Sequence, residues 1–363
     1  MKRLLWSLRL FPSSLFVLSL LVPVVVSGAP GDFAYREALP GYHYQFPRDH
    51  FEHEDFRTEW WYYTGNVTDE RGKRFGFELV FFRQGERPGA KPATRSVWSV
   101  DNLYLAHAAL TDVSGNRFLY EERLNRQGPG VAGASFDKHR IWNGNWSSQW
   151  NGETQTLDAI TGEFRFHLQL DPEKPFVIQG ENGISQKAEG KGRASHYVSF
   201  TRLRVTGSLQ TAEKAHRVQG TAWMDHEWFS EQLGVDQVGW DWFSVQLNNK
   251  TELMLFELRR KDGTIDPYSS GTFVDAEGRA HHLRRSDFSL QPVAKWQKYP
   301  VEWRIEIPSL NLDLNCKAVL PNQELKAKAG GPSYWEGAVD FTGTQTGVGY
   351  LEMTGYEGAV RLK

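Results

Sequence analysis

One cysteine stands among 363 residues. An intramolecular disulfide is therefore excluded, and Cys316 reads as a small buried side chain. Charge of one sign is also missing: 42 Lys and Arg face 44 Asp and Glu, for a net charge of −2. No basic stripe is present to neutralise phosphates, so a nucleic-acid partner is not expected. Beyond the first thirty residues no apolar run approaches the ~20 residues of a membrane span. No long stretch keeps an apolar stripe at helical spacing, so helices are expected to be few. G-x-S-x-G, Walker, dinucleotide-binding and H-E-x-x-H motifs are all absent. A local serine-nucleophile motif, a phosphate cradle and a zinc-protease helix are thus not supported, and neither a cofactor nor a metal is expected.

What is abundant is aromatic surface, with 14 Trp, 22 Phe and 13 Tyr. Such rings favour strands and bury large areas. They fit a bulky β core or a ring-lined cavity, and the sequence leaves both open.

The N-terminus has a basic head of Lys2, Arg3 and Arg9, an apolar stretch from Leu15 to Val26, and small residues at Ser27-Gly28-Ala29. This is the pattern of an export leader over residues 1–28, giving a periplasmic or secreted mature chain. An uncleaved anchor is the alternative.

Alternation of period two dominates the rest. Phe75, Phe77, Leu79 and Phe81 share one face, and Gly76, Glu78, Val80 and Phe82 the other. Val301, Trp303, Ile305 and Ile307 alternate with Glu302, Arg304 and Glu306. These are strand patterns. Asp-to-Gly turns follow at 69–72, 112–115, 262–263 and 275–278. Many strands with short turns imply a sandwich or barrel. The chain divides into an N-terminal barrel over 29–228 and a C-terminal one over 229–363. The polar segment 208–218 reads as a loop.

Chemistry concentrates at Trp223-Met224-Asp225-His226-Glu227-Trp228 and Gly239-Trp240-Asp241-Trp242. On a strand, Trp223, Asp225 and Glu227 share one face. An acid in an apolar pocket has a raised pKa and can protonate a substrate. The alternative is that these acids pair with Arg or face solvent. Asp225, His226 and Glu227 cannot share an ion, because neighbours on a strand point apart. In Glu59-Trp60-Trp61-Tyr62-Tyr63, Trp60 and Tyr62 share a face. Arg57 and Arg83 are candidate partners for Glu59 or Glu78. His107 alternates with Leu103 and Leu105 and is expected to face inward. Glu257 is an acid on an apolar strand. His50 and His53 lie in a polar stretch read as surface loop.

The long, Trp-rich motifs carry a resemblance. Arg57 to Asn66, Tyr104-Leu105-Ala106-His107 with Leu110-Thr111-Asp112, Thr221 to Trp228, Gly239 to Phe243, Tyr334-Trp335-Glu336-Gly337 and Gly349-Tyr350-Leu351-Glu352 resemble the AttH/CrtC-like two-domain lipocalins over nearly the whole mature chain. The resemblance implies an all-β protein of two consecutive lipocalin-like β-barrels, exported from a bacterial cytoplasm. Members include carotenoid 1,2-hydratases (hydroxyneurosporene synthases), which add water to an isolated double bond without a cofactor, and predicted secreted hydrolases. An acid protonates the olefin there and aromatic rings stabilise the cation. The histidine that stands two residues before the tryptophan in those hydratases is Thr221 here. The acids left for the role are Asp225, Asp241 and Glu257. Trp60, Trp61, His107, Tyr197, Trp223, Trp240 and Trp242 are the expected ligand contacts. The ligand is an apolar, isoprenoid- or lipid-like molecule. The alternative function is a non-catalytic periplasmic lipid carrier that works with an ABC transporter.

Overall fold

The structure is a computed structural model that describes residues 34–86, 88, 100–212, 214–328 and 333–360. The leader expected over 1–28 lies outside the described residues. Among those described, helix is confined to three single 3-10 turns, and no helix is long and apolar enough to cross a membrane.

Thirteen strands form the first sheet: β1 (Thr58–Asp69), β2 (Arg74–Gly85), β3 (Asn102–Asp112), β4 (Arg117–Arg126), β5 (Ala132–Ser135), β6 (Arg140–Asn143), β7 (Trp146–Asn151), β8 (Thr154–Ile160), β9 (Phe164–Pro172), β10 (Val177–Ile178), β11 (Ser185–Gln186), β12 (Ala194–Thr211) and β13 (Ala215–Phe229). Their order is β4-β3-β2-β1-β13-β12-β9-β8-β7-β6-β5, with β10 and β11 on β12. The sheet curls until its edges nearly meet. Asn143 donates to the Tyr104 carbonyl at 3.0 Å, and Asn125 donates to Asn143 at 2.6 Å. Side chains thus stitch the seam of a near-closed barrel.

The second sheet comprises β14 (Gln237–Leu247), β15 (Glu252–Arg260), β16 (Ser270–Val274), β17 (Ala280–Arg284), β18 (Ser289–Trp296), β19 (Tyr299–Ile307), β20 (Leu312–Ala318), β21 (Glu324–Leu325), β22 (Tyr334–Gly343) and β23 (Gly347–Met353). Its order β17-β16-β15-β14-β23-β22-β20-β19-β18 makes a curled half-barrel. A single 3-10 turn, Arg285–Asp287, joins its two edge strands. The chain is therefore all-β with two consecutive lipocalin-like barrels, the second open. Ser230 to Asp236 links them.

Each bore is solid. Trp61, Tyr63, Phe75, Phe77, Phe81, Trp146 and Trp150 fill the first. Gly65 is required there, because a β-carbon would overlap the Phe77 ring. Phe243, Leu255, Trp303, Ile305, Trp335, Phe341 and buried Cys316 fill the second. The Asp turns form as the sequence suggests: Asp69 accepts from the Arg71 and Lys73 amides, and Asp112 from Gly115. The segment 208–218 is not a loop. Strand β12 runs to Thr211 and β13 resumes at Ala215. Its polarity reflects a hairpin whose outer face meets water while Leu209 and Val218 point inward.

The outer faces of β1, β2 and β13 are covered in turn by β14, β15, β22 and β23. These strands are buried on both faces, as the near-continuous burial of β1 and β2 shows. Buried polar contacts lock the two sheets together. Gln246 donates to the Thr201 and Ala222 carbonyls at 2.8 Å, Asn66 to that of Gly349 at 3.1 Å, and Lys174 pairs with Glu252 at 2.7 Å.

Candidate functional site

Strand register writes the site as rows across the outer face of the first sheet. One row runs Tyr197, Glu227, Trp60, Phe82, Leu105, Leu124 from β12 to β4. The next runs Ser199, Asp225, Tyr62, Val80, His107, Glu122. Over these rows and under β14, β15 and β23 lies a cavity of about 410 Å³, in the size range of small-molecule sites. It spans five strand spacings, roughly 24 Å. Its walls are mostly aromatic and aliphatic. Exposed Leu124 lines it on the β4 side, and buried Tyr197 and Lys187 line it on the β12 side.

Trp60, Tyr197, Asp225, Trp240 and Trp242 line this cavity. Trp223 stands behind it, donating to Asp225 and meeting Trp242 edge-on at 6.2 Å. His107 is one residue removed: Nδ1 lies 2.6 Å from the Tyr334 hydroxyl, which does line the cavity, and Nε2 lies 3.0 Å from Glu122. Three strand spacings, ~14 Å, separate His107 from Asp225, too far for both to act on one bond. Trp61 points the other way. It fills the first bore and donates to the His50 carbonyl at 3.0 Å, so it makes no contact with the cavity. Asp241 and Glu257 face the second bore. Arg259 donates to Asp241 at 2.9 Å, and Arg285 lies 3.0 Å from Glu257. Neither lines the cavity. Asp225 alone of the three acids does.

Asp225 is held by three donors: Ser199 at 2.5 Å, Trp223 at 2.7 Å and the Tyr197 hydroxyl. Burial without a cationic partner pushes its carboxyl up to about 7, against the pull of those donors. Trp242 donates to the Tyr197 oxygen at 3.1 Å. When Asp225 is protonated, it donates to that same oxygen. The Tyr197 hydrogen is then free to turn into the cavity, so the pair can present an acidic proton there.

Further cavity acids carry no pattern that marks them in isolation. Glu352 lines the wall, and burial lifts it to about 7. Behind it, burial raises Glu336, which accepts from Tyr62 at 2.6 Å, and lifts Glu78, which accepts from Tyr334 at 2.9 Å, to about 8. Glu336 and Glu352 do fall within the Trp- and Gly-rich motifs at the end of the chain. Lys187 and Glu227, paired at 3.3 Å, close the inner end.

A second cluster sits on the opposite face of β1 and β13. Glu59 accepts from the His53 amide at 2.9 Å and from Arg83 at 3.0 Å, and lies 2.7 Å from His53 Nδ1 and 2.8 Å from His226 Nε2. His50 and His53 are therefore buried, not surface loop. The stretch before β1 packs onto the barrel end, where His53 stacks on Trp228 at 3.9 Å and His50 on Trp150 at 4.8 Å. Of the two candidate arginines, Arg57 and Arg83, it is Arg83 that pairs with Glu59. His53, Glu59 and His226 offer ligand atoms within 4.8 Å of one another, a donor set that suits zinc in type. Their geometry is that of a hydrogen-bonded network. Arg83 already supplies the positive charge on Glu59, and a metal would have to displace it.

Two lipocalin-like barrels, one nearly closed and one open, with a ligand-sized cavity between their packed sheets define the class. The AttH-like family model matches residues 37–356, and the chain belongs to that family. A crystal structure from Nitrosomonas europaea named for AttH is 32% identical and aligns over 88% of this chain and 99% of that one, with a TM-score of 0.79. Kievitone hydratase from Nectria haematococca aligns over 84% of this chain and 91% of its own at a TM-score of 0.63 and 14% identity, a likeness of fold. A comparison with curated proteins finds no match.

Proposed function

We propose that this is an exported protein that binds an elongated, isoprenoid- or lipid-like molecule between its two sheets and protonates it from Asp225 through Tyr197, without a cofactor, in a hydratase-type reaction. The observation that carries this reading is the aromatic cavity with one buried acid whose hydrogen bonds lead, through a tyrosine, into it. The hydratase named among the structural relatives supports it, as does the export leader expected from the N-terminus.

The step balances without any other reagent. Tyr197 gives its proton to an alkene carbon as it takes one from Asp225. Indole faces of Trp60, Trp240 and Trp242 stabilise the carbocation. Water adds to the cation and returns one proton through Tyr197 to Asp225, so one water is consumed and the acid is restored. The carrier reading, a lipid handed to an ABC transporter, shares the cavity but leaves Asp225 idle.

The test is to extract whatever co-purifies with the mature protein, then incubate its unsaturated forms with enzyme in heavy-oxygen water. Heavy oxygen in the product, lost with Asp225→Asn, is the expected result. A bound ligand that never gains oxygen refutes catalysis and leaves the carrier.

A further inference from the structure

Donors and acceptors are unequal at the inner end of the cavity. Asp225 already receives Ser199, Trp223 and Tyr197. Glu227 Oε1 receives the Ser195 hydroxyl, Gln232 at 2.7 Å and Lys187 at 3.3 Å. Asp225 is thus met by protein donors on both oxygens, and Glu227 on Oε1. Lys187 is the reverse case. Its ammonium carries three N–H groups, and Glu227 is its one acceptor among the described residues. Otherwise it lies over ring faces, 4.0 Å from the Phe256 centroid and 5.0 Å from that of Tyr197. The side chain is 6% exposed, so water does not satisfy it from outside. Its backbone is fixed too: its amide donates to Arg193 at 2.9 Å and its carbonyl accepts from Gln237 at 2.8 Å. A buried, positioned cation with spare donors calls for an acceptor from the ligand.

Charge decides which acceptor. Glu227 already neutralises Lys187. A ligand carboxylate would bring a second, unbalanced negative charge into a cavity that holds Asp225 and Glu352 as well. A ligand ammonium would set a second positive charge beside the buried Lys187 ammonium. A neutral oxygen acceptor fits both counts.

We propose that Lys187 anchors the buried end of the ligand, and that the cavity takes an elongated apolar molecule whose inner end is a neutral carbonyl: a ketone, aldehyde or ester. This rests on the reading that the cavity is the ligand site, and it narrows the substrate class. The carbonyl oxygen meets Lys187, the adjoining carbons lie against Tyr197, and the chain runs over Trp60, Phe82 and Leu105 toward Leu124.

The experiment is displacement of a neutral fluorescent dye, 1-aminoanthracene, from the mature protein by chains of matched length ending in a ketone, an alkene, a carboxylate or an amine. The ketone is expected to displace the dye at about tenfold lower concentration than the alkene, the worth of one charge-assisted hydrogen bond. The double variant Lys187→Met with Glu227→Gln strands no charge, and it is expected to bring the ketone down to the alkene's level. Lys187→Arg, which keeps the donors, is expected to restore the preference. Equal displacement by ketone and alkene, a preference that survives in the double variant, or tightest displacement by the carboxylate or the amine overturns the inference while leaving the cavity as the binding site. A dye that fails to bind, or that Leu105→Trp fails to expel, overturns the cavity reading and this inference with it.

Discussion

Asp225→Asn separates the acid's charge from its shape. In the protonated acid, Oδ1 accepts from Trp223 and Ser199, and Oδ2 donates to Tyr197. Asparagine reproduces that pattern, with its amide nitrogen donating to the same hydroxyl. The variant should therefore fold, and at high pH it should be more stable than the parent. Sign follows from linkage. Burial lifts the folded pKa from 3.8 to about 7, so the folded state holds a proton that the unfolded chain releases. That acid costs nothing at low pH, and its cost grows from about pH 4 until pH passes 7. Three units at 1.36 kcal/mol each give a cost of ~4 kcal/mol above pH 7, against ~1.5 kcal/mol at pH 5. The stability of Asp225→Asn relative to the parent should thus rise by about 2–3 kcal/mol between pH 5 and pH 8 and then level off. Urea denaturation of both proteins at pH 5, 6, 7 and 8 measures the difference. A difference that stays flat with pH would show that Asp225 is ionised throughout, and the acid role would fall with it.

Three further outcomes are expected. Tyr197→Phe interrupts the proton route while leaving the ring in the wall; turnover should fall about 100-fold or more, with ligand affinity within a few-fold, and a variant of near-parental rate would show that Asp225 reaches the substrate directly. Glu59→Gln strands the Arg83 guanidinium, which is fully buried, and should cost roughly 3–5 kcal/mol in thermal or urea unfolding. The parent should lose this contribution as pH falls below the ordinary glutamate range, because the histidines and Arg83 hold Glu59 well below it against the cost of burial; unchanged acid stability in Glu59→Gln would contradict the network. Leu105→Trp places an indole in the cavity and should abolish binding of the co-purifying molecule in native mass spectrometry, while unfolding shifts by less than about 1.5 kcal/mol.

Alternation made the strands legible, and even which residues share a face: Phe75, Phe77, Leu79 and Phe81 all enter the first bore, and Glu78, Val80 and Phe82 all leave it. What alternation does not reveal is where each face looks when both are buried. In β1, Trp61 meets the bore and Trp60 meets the cavity, and the two indoles are equivalent in sequence. Asp225, Asp241 and Glu257 were likewise equivalent as acids on apolar strands. Arg259 and Arg285 set the latter two apart, because strand pairing and the turn that joins the sheet edges bring those cations in. His50 and His53 read as surface because their neighbourhood is polar, but Glu59 and Asp49 meet His53 inside the barrel end and aromatic rings enclose His50. Lys187 had no pattern around it at all. A lysine in a short loop becomes informative only once Phe256, from the second sheet, is seen against it.

The paired strands β1 and β13 carry two contrasting carboxylate environments, one on each face of the sheet. His226 of β13 turns to Glu59, while Asp225 beside it turns to the cavity. Glu59 and Asp225 are both deeply buried, and each receives three or more hydrogen bonds. Glu59 stays charged because, against the cost of burial, His53 foremost, then the His226 hydrogen bond and Arg83 hold its carboxylate. Asp225 receives only neutral donors, from Ser199, Trp223 and Tyr197, and burial outweighs them. Hydrogen bonds alone therefore do not keep Asp225 ionised, and a single arginine is not sufficient either: burial still lifts Asp241 to about 6 beside Arg259 and Glu257 to about 7 beside Arg285. The charged face gathers around Glu59 and holds the barrel end together. The neutral face keeps an exchangeable proton beside the cavity, and Lys187 there is balanced by Glu227 and not by Asp225.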